Sequence, residues 1–168
     1  MRPSAKMTRL FSMILTLTIL GCSGDEPRIW ATFNQSASLV ANLAANPLQW
    51  KVITSMIDRA DSTMSTLYGN DLAVEYVRTH AQHDYPAGSQ LSLVTWTQQE
   101  DPRWFGAKIP EAVKSVEFVT VASAQDGRPS YSYSKYEGSP LQKSVAQESP
   151  TPNERTAYLL SQRAAVMP

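Results

Sequence analysis

Three groups of residues in this 168-residue chain could do chemistry. Cys22 is the sole cysteine, set in Ile19-Leu20-Gly21-Cys22-Ser23. A thiol directly behind an apolar run and a small residue can be acylated. His80 and His83 stand three apart, a spacing that can bring two imidazoles onto one helical face. Their only neighbouring carboxylates are Asp84, or Asp71 and Glu75 if the helix is regular, a thin ligand set for a metal. The plainer reading is two solvated histidines. Asp58 and Asp61 could pair as general acid and base, but Asp58-Arg59-Ala60-Asp61 reads as a turn, which Asp favours by bonding its own backbone.

Aromatics form a further cluster. Trp96, Trp104 and Phe105 lie close in sequence, with Tyr85 before them and Tyr131, Tyr133 and Tyr136 after. Such residues fill a core, or line a pocket for a small apolar or planar ligand. No nucleophile elbow, phosphate-binding glycine loop or dinucleotide fingerprint occurs.

The elements that must position these residues are mostly strands. Trp50–Ile57 alternates and is rich in β-branched residues, and Thr63–Tyr68 follows it across the aspartate turn as the second arm of a hairpin. Gly69-Asn70-Asp71 breaks the strand and caps a helix running to about Thr79. Tyr85-Pro86-Ala87-Gly88-Ser89 is a turn. Gln90–Gln98, Val113–Ala122 and Ser130–Tyr136 are further strands, with Asp126-Gly127 as a hairpin turn. Residues 139–152 carry three prolines and read as a loop or linker. Residues 153–166 read as a C-terminal helix capped by Asn153. The expected fold is α+β: an antiparallel sheet of about five strands, one inserted helix and a C-terminal helix.

The N-terminus looks like an address. Arg2, Lys6 and Arg9 precede an apolar stretch from Leu10 to Leu20. That length suits a signal-peptide core and falls short of the ~20 residues of a membrane span. Residues 1–21 are therefore expected to be a lipoprotein signal peptide, 22–46 a tether with a short helix near Leu39–Ala44, and 47–168 the domain. Acylation of Cys22 would give durable anchoring, since several acyl chains hold where one does not. Ser23 rather than Asp after the cysteine favours the outer membrane, so the expected location is the cell envelope, facing the periplasm. Loss of Arg2, Lys6 and Arg9 from 15 Lys+Arg leaves 12 against 15 Asp+Glu, a formal charge of −3. That balance argues against a nucleic-acid partner, which needs a basic stripe.

The runs Tyr68-Gly69-Asn70-Asp71-Leu72-Ala73, Tyr85-Pro86-Ala87-Gly88-Ser89 and Val94-Thr95-Trp96-Thr97-Gln98 together resemble the cytochrome P-460 family. Trp104-Phe105-Gly106-Ala107 and Val116-Glu117-Phe118-Val119 continue the likeness, which covers roughly residues 47–138. The resemblance implies a periplasmic, largely antiparallel β domain that usually dimerises. It also implies a c-type haem acting on hydroxylamine or binding nitric oxide, attached through Cys-x-x-Cys-His near the C-terminus. This sequence departs there. Leu159–Arg163 stands in the expected place and offers neither thiol nor imidazole, and no lysine lies between Asn70 and Pro86 to match the crosslinking lysine of catalytic members. With Cys22 consumed by lipid, covalent haem has no thiol to use. The expectation is a binding or interaction module without covalent haem, with a pocket at Trp96, Trp104, Phe105 and Tyr131 or Tyr133. The alternative is a redox or nitrogen-oxide-handling protein with non-covalent haem on His80 or His83. A homodimer built on the same aromatics is the remaining expectation.

Overall fold

Alternation of apolar and polar side chains over successive runs builds one sheet. The computed structural model describes residues 34–39, 41–81, 84–124, 128–145 and 149–165. Among the described residues six strands lie in sequence order: β1 (Lys51–Asp58), β2 (Thr63–Gly69), β3 (Gln90–Glu100), β4 (Lys108–Ser123), β5 (Pro129–Glu137) and β6 (Gln142–Lys143). Every neighbouring pair is antiparallel. Helix α1 (Asp71–Thr79) is inserted between β2 and β3, and α2 (Pro152–Leu160) follows β6. The α+β class expected from sequence is present, with six strands rather than about five. The extra strand, β6, lies in the stretch read as a loop and makes two pairings, Tyr136 with Lys143 and Glu137 with Gln142.

Each sheet face carries a packed core. On one face Ile53, Leu67, Leu91, Leu93, Val119 and Val121 meet Ala73 and Val74 of α1, Leu159 and Leu160 of α2, and Tyr85. On the other, Val94, Trp96, Val116 and Phe118 meet Ala37, Leu39, Leu43 and Trp50. Phe118 stands edge-on to both Trp50 and Tyr136, with centroids 6.2 and 5.9 Å apart, an arrangement aromatic rings favour. Part of the stretch expected as a tether, residues 22–46, therefore belongs to the packed domain. Ala37, Leu39 and Leu43 pack on the sheet, where they cover an otherwise bare apolar face. In place of the helix expected near Leu39–Ala44, 3₁₀ turns form at Gln35–Ala37 and Pro47–Gln49. Among the described residues, both cores are assembled within residues 34–165.

The helix boundaries have local causes. Asn70 caps α1, its side-chain oxygen accepting from Ala73 N at 3.0 Å. The same residue accepts from Gln90 N at 3.2 Å and donates to Gly88 O at 2.9 Å, so one amide ties β2, α1, the Pro86–Gly88 turn and β3 together. Gly69 permits the close seat of α1: a Cβ there would lie 2.8 Å from Ile53 Cδ1 and 3.2 Å from Ala73 Cβ. α2 starts one residue earlier than expected. Its cap is Thr151 in a reciprocal capping box with Glu154, which wins over Asn153 because Pro152 fits the first helical turn. The helix ends at Leu160 rather than Val166; beyond it Ala165 N donates to Ile53 O at 2.8 Å, fastening the chain to β1.

The β3–β4 hairpin outruns its neighbours. β2 begins at Thr63, opposite Thr97, and β5 ends at Glu137, opposite Ser115. Beyond those points the strand pairings Gln98–Pro110, Gln99–Ile109 and Glu100–Lys108 belong to the hairpin alone; Gln98 still bonds back to Ser62 O at 3.2 Å and Thr63 O at 2.7 Å, and past it the hairpin forms a projecting arm. Register shifts flank Trp96 at the arm's root, and such irregularities bend a ladder.

Candidate functional site

Glu117 is the anomaly in the sheet. It sits in the apolar run Val116-Glu117-Phe118-Val119 and is 3% exposed, on the face that the helices cover. A carboxylate there is costly unless it is paired and hydrogen-bonded. Arg155 of α2 supplies the pairing: Nε donates to Oε2 at 2.9 Å and Nη2 to Oε1 at 2.7 Å. Tyr133 of β5 donates its hydroxyl to Oε2 at 2.7 Å. Burial first, and then Glu117, push the Tyr133 phenol well above its ordinary pKa. The bond to Glu117 holds Arg155 more firmly protonated than usual. Arg155 also lies 4.7 Å from the centre of the Tyr158 ring, a cation–π contact, and Tyr158 donates to Met56 Sδ at 3.3 Å.

This cluster forms one wall of an open hollow of about 720 Å³ where the helices leave the sheet uncovered. Thr63, Ser65, Thr95 and Ser115 face into it from three strands, and Ser65 and Thr95 hydroxyls bond at 2.8 Å. Asp58, Asp61, Lys114, Lys135 and Glu137 line its edges. Lys135, the nearest cation, holds the Glu137 carboxyl below its ordinary pKa. Chemically the hollow offers hydroxyls and both signs of charge. The Glu117 carboxylate is taken up by three donors, so it anchors α2 instead of acting as a free base.

The residues singled out from sequence fall elsewhere. Cys22 and His83 lie outside the described residues. His80 caps the C-terminal end of α1, exposed, with its ring stacked on Tyr76 at 4.3 Å and Nδ1 within 2.8 Å of Thr79 Oγ1. No group of three metal-ligating side chains occurs among the described residues. Asp58 accepts from Ala60 N and Asp61 N at 2.9 and 3.2 Å, which is the turn role the sequence suggested.

The aromatic pocket expected from sequence is not assembled. Trp96 is 5% exposed in the core of the second face, its indole N–H bonded to Ala37 O at 2.9 Å. Tyr133 lies on the opposite face, because residues of opposite register parity point to opposite sides of a strand. Tyr131 opposes Val121 at the far end of β5 from the arm and is exposed. Trp104 and Phe105 stand exposed at the tip of the β3–β4 arm. Sequence reasoning missed Glu117, Arg155 and the hydroxyl floor. A signal for Glu117 was present: a single acidic residue inside an apolar strand needs a cation from elsewhere.

The hollow does not fit a haem. A porphyrin presents a broad apolar face, whereas most of the lining is hydroxyls and charged groups beside a closed ion pair, with Leu93, Ile57 and Met56 its aliphatic members. The one soft donor on its wall, Met56 Sδ, already accepts from Tyr158. Where the attachment segment was expected, Leu159 and Leu160 are buried in the core. No curated protein matches the chain. The sequence model of the cytochrome P460 family, "Cytochrome P460", matches residues 48–154, which span β1 to β6 and the first turn of α2. With that match over most of its length and the antiparallel domain beneath it, the chain belongs to the cytochrome P460 family.

Proposed function

We propose that this protein is a lipid-anchored, envelope-facing member of its family whose domain works as a haem-free binding module. The observation that carries the reading is the donor set of the hollow: hydroxyls of Thr63, Ser65, Thr95 and Ser115 beside the closed Glu117–Arg155 pair. Such a site suits a small polar ligand that carries hydroxyls or both charges, recognised by hydrogen bonds at its edges, rather than a planar apolar one. Acylated Cys22 would hold the module at the membrane, and residues 23–33 would form the tether.

The test is spectroscopic. The chain from residue 24 onward, purified from haem-replete cells, is expected to be colourless and to leave the spectrum of added hemin unchanged. A Soret band that disappears in His80→Ala or His83→Ala would establish the redox alternative instead. For the anchor, full-length protein is expected in the membrane fraction and Cys22→Ala in the soluble fraction. Membrane retention of Cys22→Ala would remove lipidation from the reading.

A further inference from the structure

The projecting β3–β4 arm ends in a preformed turn. Ala107 N donates to Trp104 O at 3.0 Å and Gly106 has φ +77, the pattern of a type II turn with glycine at its third position. Phe105 therefore occupies the outer corner, fully exposed, with Trp104 70% exposed beside it. A second bond closes the loop below, from Asp101 N to Ala107 O at 2.9 Å, and Asp101 also accepts from Arg103 N at 2.8 Å. Two large aromatics held in water on a stiff turn contribute nothing to the cores.

The charges beneath the turn cancel. Lys108 pairs with Glu100, and Arg103 lies 3.6 Å from Asp101. The arm therefore presents an apolar tip over a balanced collar, which an anionic surface does not repel. Trp suits the headgroup level of a bilayer, where its ring is buried and its N–H stays wet.

The path of the chain points the same way. Asn34 enters the domain at the arm, its side chain donating to Pro110 O at 2.7 Å. Pro110 is two strand residues from Lys108, about 7 Å from the base of the turn. Eleven residues separate Cys22 from Asn34, a reach of at most ~40 Å. A lipid on Cys22 would thus be tethered to the end of the domain that carries Trp104 and Phe105.

We infer that the Trp104–Phe105 tip inserts into the interfacial layer of a phospholipid bilayer, a second membrane contact beside the lipid anchor. The placement of the tip toward the membrane rests on the proposed acylation of Cys22; the affinity of the tip for lipid does not. The test accordingly uses the chain from residue 24 onward, which lacks Cys22, so a failed anchor and a failed tip give separate results. Vesicles of phosphatidylethanolamine and phosphatidylglycerol, three to one, are added at millimolar lipid. The expected results are co-sedimentation, a blue shift of tryptophan emission and quenching by brominated acyl chains, all persisting at high salt. The double variant Trp104→Ala/Phe105→Ala is expected to keep its thermal midpoint and bind about tenfold more weakly or worse. Absence of binding, equal binding by the double variant, or binding abolished by salt would each overturn the inference. So would a dimer in solution that the double variant converts to monomer with no vesicle binding, since a second copy would then be the occupant of the tip.

Discussion

Arg155 grips Glu117 through two parallel bonds of 2.9 and 2.7 Å across 38 residues of chain, joining α2 to the middle of the sheet. The Glu117 side chain is 4% exposed and that of Arg155 23%. A buried pair of this kind adds little over an apolar replacement, yet losing one partner strands a charge. The pair therefore fixes where α2 sits, and with it the wall of the hollow.

Removing the guanidinium should be costly. Arg155→Ala leaves the carboxylate with Tyr133 alone and is expected to destabilise the fold by about 3 kcal/mol, read as a lower denaturant midpoint. Arg155→Lys should recover only part, because an ammonium cannot form the fork. Glu117→Leu combined with Arg155→Met should come closer to wild type than either single change. Additive losses in that cycle would refute the coupling.

Tyr85 makes the opposite case. Its hydroxyl is buried with no hydrogen-bond partner among the described residues. Tyr85→Phe should therefore be neutral or stabilise by about 1 kcal/mol. Burial first, then the neighbouring Tyr76, raise the Tyr85 pKa from 10.0 to about 12. A phenol raised on folding stabilises in full below its unfolded pKa, and that contribution is lost as pH climbs from 10 to about 12. Stability should thus be level just below pH 10 and fall above it, less steeply in Tyr85→Phe. Equal slopes in a pH series of urea melts would count against this assignment.

The sheet and α1 were legible because their signals are local. Alternation marked five strands, and Asn70 marked the start of α1. Gly69-Asn70 and Pro86-Ala87-Gly88 could be read as motifs, and Asn70 Nδ2 bonded to Gly88 O shows that the fold joins them. Long-range relationships were not legible. Nothing near Glu117 names Arg155 as its partner, and nothing near Ala37 shows that its carbonyl will receive the Trp96 indole. The aromatic pocket failed for a geometric reason: closeness in sequence does not survive a strand's alternation and a projecting hairpin. β6 escaped notice because two paired residues leave no periodicity.

The Asn70 junction carries its own prediction. Asn70→Ala removes the α1 cap and orphans Gln90 N and Gly88 O together, so a loss of about 1–2 kcal/mol is expected. Asn70→Asp should keep the cap but lose the donor to Gly88. Gly69→Ala forces Cβ against Ile53 and Ala73, with an expected cost of about 1–3 kcal/mol. Thermal melts of the three variants check the order; an unchanged Gly69→Ala would mean that α1 can lift from the sheet without loss.

Trp96 and Trp104 should part company in the same assay. They are eight positions apart, but one is sealed between Phe118's layer and the N-terminal segment, and the other stands in solvent. Trp96→Ala opens a cavity and strips the bond to Ala37 O, so a loss of about 3–5 kcal/mol is expected, together with release of residues 34–39 to protease. Trp104→Ala removes no buried contact and should stay within about 0.5 kcal/mol of wild type. That neutrality separates a surface kept for an encounter from one kept for the fold. If Trp104→Ala proved as damaging as Trp96→Ala, the arm's tip would belong to the domain's own packing.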